Sequence, residues 1–175
     1  MGTNSSKKTE EYSKEYTERF ETLFETSLDA IFVADAETRK LVDCNKNAEK
    51  LIGRSKEEIL SINADDLHPS DRIKDTMEGF KKQAEGKIKY VETEVLTKSG
   101  ERIPVEVGAE SFVSKGKSYL MGVFRDITER KQAEEGLKQK NMELERMNKL
   151  MTGRELKMIE LKKEIEELKK RLGEA

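Results

Sequence analysis

The sequence predicts an α+β protein in which an antiparallel sheet is followed by a long helix. Short apolar runs over 30–44 and a period-two alternation over 91–109 indicate strands, and helical spacing fills the stretch between them. Of the 175 residues, 40% are charged and 34% hydrophobic, which is typical of a compact core that carries long solvated helices. We therefore expect one domain of ordinary size with an extended appendage.

The composition also bears on partners and location. Lys plus Arg number 34 and Asp plus Glu number 36, so the net charge of −2 gives no electrostatic reason to expect a nucleic acid or membrane partner. No run approaches the roughly 20 apolar residues of a membrane helix, and no signal peptide is legible, so we expect a cytoplasmic protein. A single cysteine, Cys44, excludes an internal disulfide, and we predict no metal site.

The N-terminal segment, residues 1–17, is polar, is expected to fray at its start, and contains the beginning of a flanking helix. From Thr9 to Thr26, apolar side chains recur at steps of three and four residues, which predicts one helical stripe. The stripe consists of Tyr12, Tyr16, Phe20, Leu23 and Phe24. We expect this stripe to lie against another surface.

The next elements are predicted to be two strands and a series of short helices. The apolar runs 30–34 and 41–44 read as a strand pair. Asn45 is a good N-cap for a helix that Gly53 ends, and Ser55 with Glu58 forms a capping box for the following one. A third helix begins after Pro69 and ends near Gly86.

Three strands complete the domain. Val91, Thr93 and Val95 alternate with charged residues, a turn follows at 98–101, and the alternation resumes over 103–109. A turn at 115–116 leads into 119–124, which is apolar on both faces and is therefore predicted to be the central strand.

Five motifs in this order resemble a known family. They are Leu28-Asp29-Ala30-Ile31, the run 42–53, Ser55-Lys56-Glu57-Glu58, His68-Pro69-Ser70-Asp71-Arg72, and the run 125–131. Residues 18–128 thereby resemble the PAS (PAS/PAC, S-box) family of sensor domains, found in prokaryotic sensor histidine kinases and PAS regulators. The resemblance implies a five-stranded antiparallel sheet with small helices on one face. It also implies a pocket, which in some members holds haem, flavin or a small metabolite.

Residues 129–175 are predicted to form a signalling coiled coil, and the stretch 151–161 resembles the helix that follows many prokaryotic PAS domains. Apolar side chains occupy a heptad seam. The seam comprises Leu137, Leu144, Met147, Met151, Met158, Leu161, Ile165, Leu168 and Leu172. Lys140, Gly153 and Arg154 weaken it, so an adjustable stretch is expected near 152–155. An unbroken helix of ~65 Å must find another chain, which predicts a homodimer.

Candidate site residues fall into two further groups. The inward pocket candidates are Ile31, Val33, Leu51, Ile52, Met77, Phe80, Val105, Val107, Tyr119, Met121 and Val123. Such a set also fits a filled core, and no polar cluster specifies a ligand. Asp126, Ile127 and Thr128 stand where the last strand becomes the long helix. The family resemblance implies that they couple the sheet to that helix, whereas the simpler interpretation is a helix cap.

Cofactor chemistry has little support in the sequence. His68 is interpreted as a surface or loop-packing residue, and no haem-binding motif is recognised in the sequence. The light-sensing relatives' Asn-Cys-Arg-Phe motif is missing from the sequence, so flavin is not supported either. Cys44 is interpreted as a buried structural cysteine, with redox sensing as the alternative.

The function predicted is a non-enzymatic sensor that detects a small ligand or redox cue and signals through a dimeric coiled coil to a kinase or regulator. The long helix has no phosphoacceptor histidine, and no nucleotide-binding glycine motif occurs, which argues against kinase activity in this chain. Two alternatives stay open. One is a structural dimerisation module with a filled core, and the other is a fragment of a sensor histidine kinase that lacks its catalytic part.

Overall fold

A computed structural model describes the backbone of residues 3–173 and the side chains of residues 14–171. The chain divides after Glu129 into two compact units. The first unit contains a sheet with its helices, and the second consists of most of one long helix.

The elements follow the predicted order of two strands, short helices and three strands. They are α1 (Thr3–Thr26), β1 (Ala30–Asp35), β2 (Leu41–Cys44), α2 (Lys46–Ile52), α3 (Lys56–Leu60), a 3₁₀ turn (Ala64–Leu67), α4 (Ile73–Ala84), β3 (Val91–Leu96), β4 (Arg102–Ser114), β5 (Lys117–Asp126) and α5 (Thr128–Leu172). The strands form one five-stranded antiparallel sheet in the order β2-β1-β5-β4-β3. The predicted fold class is confirmed, and β5 is the central strand as expected from its apolar residues.

Local capping signals start and stop the short helices where the sequence predicts. Asn45 accepts a hydrogen bond from the backbone N–H of Ala48 and begins α2, and Gly53 ends it with a φ of 65°. Ser55 and Glu58 exchange both bonds of a capping box at the start of α3. These caps allow two helices in close succession over one face of the sheet.

The core lies between one face of the sheet and the short helices. It combines strand residues with residues of α2, α3 and the 3₁₀ turn. Its fully buried members include Ile52, Ile59, Leu67, Val95 and Val105. The helices therefore cover a single face, which here is called the inner face.

The flanking helices differ from the core elements in burial. α1 begins at Thr3, earlier than the predicted Thr9. Tyr16, Phe20 and Leu23 are exposed, and the Tyr12 side chain lies outside the described residues. In the part of the chain that the structure describes, no helix is both long and apolar enough to cross a membrane.

Candidate functional site

A cavity of about 880 Å³ opens between the inner face of the sheet and α4. Across the three central strands, Phe32 of β1 is opposite Gly122 of β5, and Gly122 is opposite Ala109 of β4. Two of the three side chains in this row are therefore very small. The next residue along this face of β5, Phe124, packs its ring edge-on against Phe32, with 5.0 Å between centroids. The Phe124 ring also lies over Gly122, where an added Cβ would come within 2.6 Å of its Cε2. Phe32, Ala109, Gly122 and Phe124 all line the cavity.

The remaining walls come from α4 and from the segment that links it to β3. Met77, Phe80, Gln83 and Ala84 of α4 and residues 86–89 line the cavity. The Gln83 amide donates hydrogen bonds to the Lys89 carbonyl (2.7 Å) and to the Val107 carbonyl (3.5 Å). Gln83 thereby fastens the linking segment to β4 at the mouth of the cavity.

Six of the eleven predicted inward residues lie on the inner side of the domain. Met77, Phe80 and Val107 line the cavity. Ile52 and Val105 are fully buried, and Leu51 packs against the core. None of these last three lines the cavity, so they belong to its supporting core.

The predicted inward orientation is wrong for five residues in β1 and β5. These are Ile31, Val33, Tyr119, Met121 and Val123. Burial alternates so that Ala30, Phe32 and Ala34 face the core, and the antiparallel register places Phe124, Gly122 and Leu120 beside them. Because both strands are apolar at successive positions, their pattern does not show which alternate set faces inward.

His68 is the main cavity residue that the sequence did not identify. It is 5% exposed, so of the two positions predicted for it, on the surface or packed within a loop, only the second agrees with the structure. Its ring lies near the rings of Phe124 and Phe80, at centroid distances of 6.1 and 5.9 Å. Nδ1 is 2.9 Å from the Glu94 carbonyl oxygen, and burial lowers the pKa of the ring. The ring is therefore held neutral, with Nδ1 as the donor to that carbonyl.

The end of β5 is tied directly to the start of α5. The Asp126 carboxylate accepts a 2.7 Å hydrogen bond from the backbone N–H of Thr128. The Ile127 side chain is 5% exposed, and its N–H donates to the Pro104 carbonyl of β4. The Asp126 carboxylate thus satisfies the first backbone N–H of α5, as the cap interpretation expects. Ile127, which precedes the helix, is bonded to the neighbouring strand β4.

The connection from α1 to β1 lies at the same end of the sheet. Asn45 is fully buried and bonds four backbone groups: its Oδ1 accepts from Ile31 and Ala48, and its Nδ2 donates to Phe24 and Asp29. Next to it, Arg125 of β5 donates two hydrogen bonds to the Asp29 carboxylate, at 3.1 and 2.8 Å. The α1–β1 connection and the β5–α5 connection are thus bridged by side chains.

A model of the PAS domain matches residues 28–129 of this chain. The chain belongs to the PAS domain family. It is 36% identical over 149 residues to a methyl sulfide methyltransferase-associated sensor of Methanosarcina acetivorans. That match covers 83% of this chain and 15% of the sensor. The PAS assignment and the sensor relative together support a role in signalling.

Solved PAS domains share the fold. The PAS domain of a Colwellia psychrerythraea protein is 25% identical, with a TM-score of 0.58, over 65% of this chain and 98% of that one. The PAS domain of an HTR-like protein from Haloarcula marismortui is 24% identical, with a TM-score of 0.55, over 69% and 99% of the two chains.

Beyond the PAS core, α5 presents its predicted seam to solvent. The exposed fraction is 62% for Leu137, 59% for Met158, 45% for Leu161 and 53% for Leu168. The Leu172 side chain lies outside the described residues. Gly153 and Arg154 fall within continuous helix. Pairing through this seam stays a prediction.

Cys44 of the PAS domain lies in the core and does not line the cavity. Loss of solvation raises the pKa of its thiol to about 11. The thiol is therefore protonated at neutral pH, and the raised pKa disfavours thiolate chemistry. This supports the structural interpretation over redox sensing, and because the thiol lies outside the cavity, it is not placed to react with a flavin there.

Proposed function

We propose that this PAS domain binds a small ligand in the cavity and passes the occupancy of the cavity to α5. The observation that carries the proposal is the cavity itself. Its walls are mostly apolar, and its volume of about 880 Å³ falls within the roughly 300–1,000 Å³ of small-molecule sites. The domain acts by binding and has no catalytic step of its own.

Transmission is proposed to run through β5 and its junction with α5. Gly122 and Phe124 line the cavity, and the strand that carries them ends at Asp126, which caps α5. A ligand that displaces the Phe124 ring would shift the backbone of the same strand. The bonds of Asp126 and Ile127 give that shift a route to the first turn of the helix.

The output is proposed to be a change in pairing between two copies of α5 in a cytoplasmic homodimer, read by a kinase or regulator. The exposed seam supports this, because a row of leucines, isoleucines and methionines in water is stabilised by a second helix. A change of 1 to 3 kcal/mol between two packings is enough for such a switch.

Native mass spectrometry of freshly purified protein, compared with the denatured mass, tests the proposal. A dimer with extra mass of a small molecule is the expected result, and the extra mass identifies the ligand. A dimer of bare chains that takes up no compound from a metabolite library would favour a structural dimerisation module. A monomer at micromolar concentration would contradict the pairing mechanism.

A further inference from the structure

We propose that His68 makes the cavity selective for a neutral, largely apolar molecule that carries one hydroxyl or N–H donor. This inference rests on the proposed ligand-binding function and names the chemical class of the ligand. A buried imidazole opens its acceptor nitrogen on a cavity whose lining is mostly, though not wholly, apolar.

The contact with Glu94 fixes the tautomer of the His68 ring. A backbone carbonyl can only accept a hydrogen bond, so the 2.9 Å contact of Nδ1 with the Glu94 oxygen requires a proton on Nδ1. In the neutral ring the other nitrogen, Nε2, then carries a lone pair and no proton. Nε2 is an acceptor that needs a donor.

The position of Nε2 follows from the hydrogen bonds of the buried polar side chains. Among the residues whose side chains the structure describes, every fully buried side-chain nitrogen or oxygen has a hydrogen-bond partner. Nδ1 is bonded to Glu94, and no partner contacts Nε2 in this part of the chain. Nε2 is therefore not sealed within the core. Because His68 is only 5% exposed and lines the cavity, Nε2 opens on the cavity.

The surroundings of the ring favour a flat apolar body beside the donor. The rings of Phe80 and Phe124 stand next to His68, and Phe32 meets Phe124. Of the cationic residues that line the cavity, Arg39 pairs with Asp65, Lys87 pairs with Glu85, and Lys89 lies over the Tyr90 ring. Glu110 adds a negative charge to the same lining. A neutral ligand therefore matches the interior better than an anion does, and a donor satisfies a lone pair that is otherwise costly to leave unbonded.

The test compares two probes that differ in one donor, 2-naphthol and its methyl ether 2-methoxynaphthalene, by calorimetry and fluorescence with the full chain. The wild-type protein is expected to bind 2-naphthol about tenfold more tightly. In His68→Asn the side-chain amide can still donate to Glu94, but the acceptor at Nε2 is lost. This variant is expected to bind the two probes equally, and a preserved preference would overturn the inference.

Nuclear magnetic resonance on the wild-type protein gives a second measurement that needs no variant. The chain has one histidine, so the two ring nitrogens are assigned without ambiguity. The free protein should show a proton on Nδ1. The chemical shift of Nε2 should change when 2-naphthol is added and should not change when 2-methoxynaphthalene is added. A proton on Nε2, or equal shifts with both probes, would contradict the proposal.

The outcomes separate this inference from the proposed function. Equal binding of both probes to the wild-type protein would overturn the role of His68 and keep the ligand site. Binding of neither probe at millimolar concentration would overturn both. A Soret band that appears with added hemin and is lost in His68→Asn would assign Nε2 to iron and overturn the donor class.

Discussion

At the scale of single residues, His68 should make stability depend on pH. Burial keeps the folded-state pKa of the ring below that of the unfolded chain, which is about 6.5. The unfolded state therefore binds the proton first as the pH falls. The free energy of unfolding is therefore undiminished by His68 above about pH 6.5. It falls progressively as the pH drops below that value towards the folded-state pKa of the ring.

Urea unfolding at pH 7.5 and pH 5.5 measures this effect. The wild-type protein is expected to lose more unfolding free energy between the two values than His68→Asn, which has no group that titrates there. The pKa values of Asp35, Glu58 and Asp71 are lowered by hydrogen bonds, so these carboxylates destabilise the fold only at lower pH. Identical losses in the two proteins would show that His68 is not held neutral.

Residues of the site differ in how far the sequence could predict them. The caps at Gly53 and Ser55, and the bond of Asn45 to Ala48, involve residues within a few positions, so they could be predicted from the sequence. The other three bonds of Asn45 reach Phe24, Asp29 and Ile31, which lie 14 to 21 positions away and could not be predicted. The inward-facing row of Phe32, Gly122 and Ala109 depends on pairing between strands that are far apart in the chain. Its signal in the sequence was Gly122, because a glycine inside a strand often marks the close approach of another group.

At the scale of elements, Asn45 fastens three of them together. It is expected to be the most sensitive polar residue in the domain, because Asn45→Ala removes a buried helix cap and leaves part-buried backbone groups of β1 and α1 without this partner. The expected loss is about 3 kcal/mol of unfolding free energy. Denaturant unfolding measures it, with the exposed Lys50→Ala in α2 as control. A loss of under 1 kcal/mol would contradict the proposed anchoring.

The exposed seam of α5 leads to a prediction about pairing. Leu161→Lys places a charge at a central position and is expected to raise the dissociation constant of the dimer by roughly 100-fold, since two leucines leave the interface. Glu166→Lys introduces the same side chain off the seam and serves as the control. Sedimentation at a series of concentrations measures both. Equal effects would show that the seam is not the interface.

Whole-molecule organisation was predictable only in part. The order of elements and the length of α5 follow from local periodicity, and both agree with the structure. The choice of the inner face in β1 and β5 is a property of the assembled sheet, because Ile31 and Phe32 are both apolar and either could face inward by pattern alone. Burial of Phe32 follows from its register with Gly122, which only the paired strands show.

The proposed route from cavity to helix predicts an energetic coupling across the molecule. Ala109→Phe fills the cavity and serves as a permanent substitute for a ligand, while Asp126→Ala removes the bond to Thr128 that caps α5. If the junction transmits occupancy, the effect of Ala109→Phe on the dimer dissociation constant should shrink when Asp126 is absent.

A double-mutant cycle on the dissociation constant measures that coupling, which is expected to be about 0.5–2 kcal/mol. Asp126→Asn keeps a side-chain acceptor for the Thr128 N–H and should retain most of the coupling energy. Val123→Phe adds the same ring on the outer face of β5 and should show no coupling energy with Asp126→Ala. Effects of Ala109→Phe and Asp126→Ala that add within about 0.3 kcal/mol would mean that the junction is only a cap. The cavity would then have to act on the helix by another path, such as the bond from the Ile127 N–H to the Pro104 carbonyl of β4.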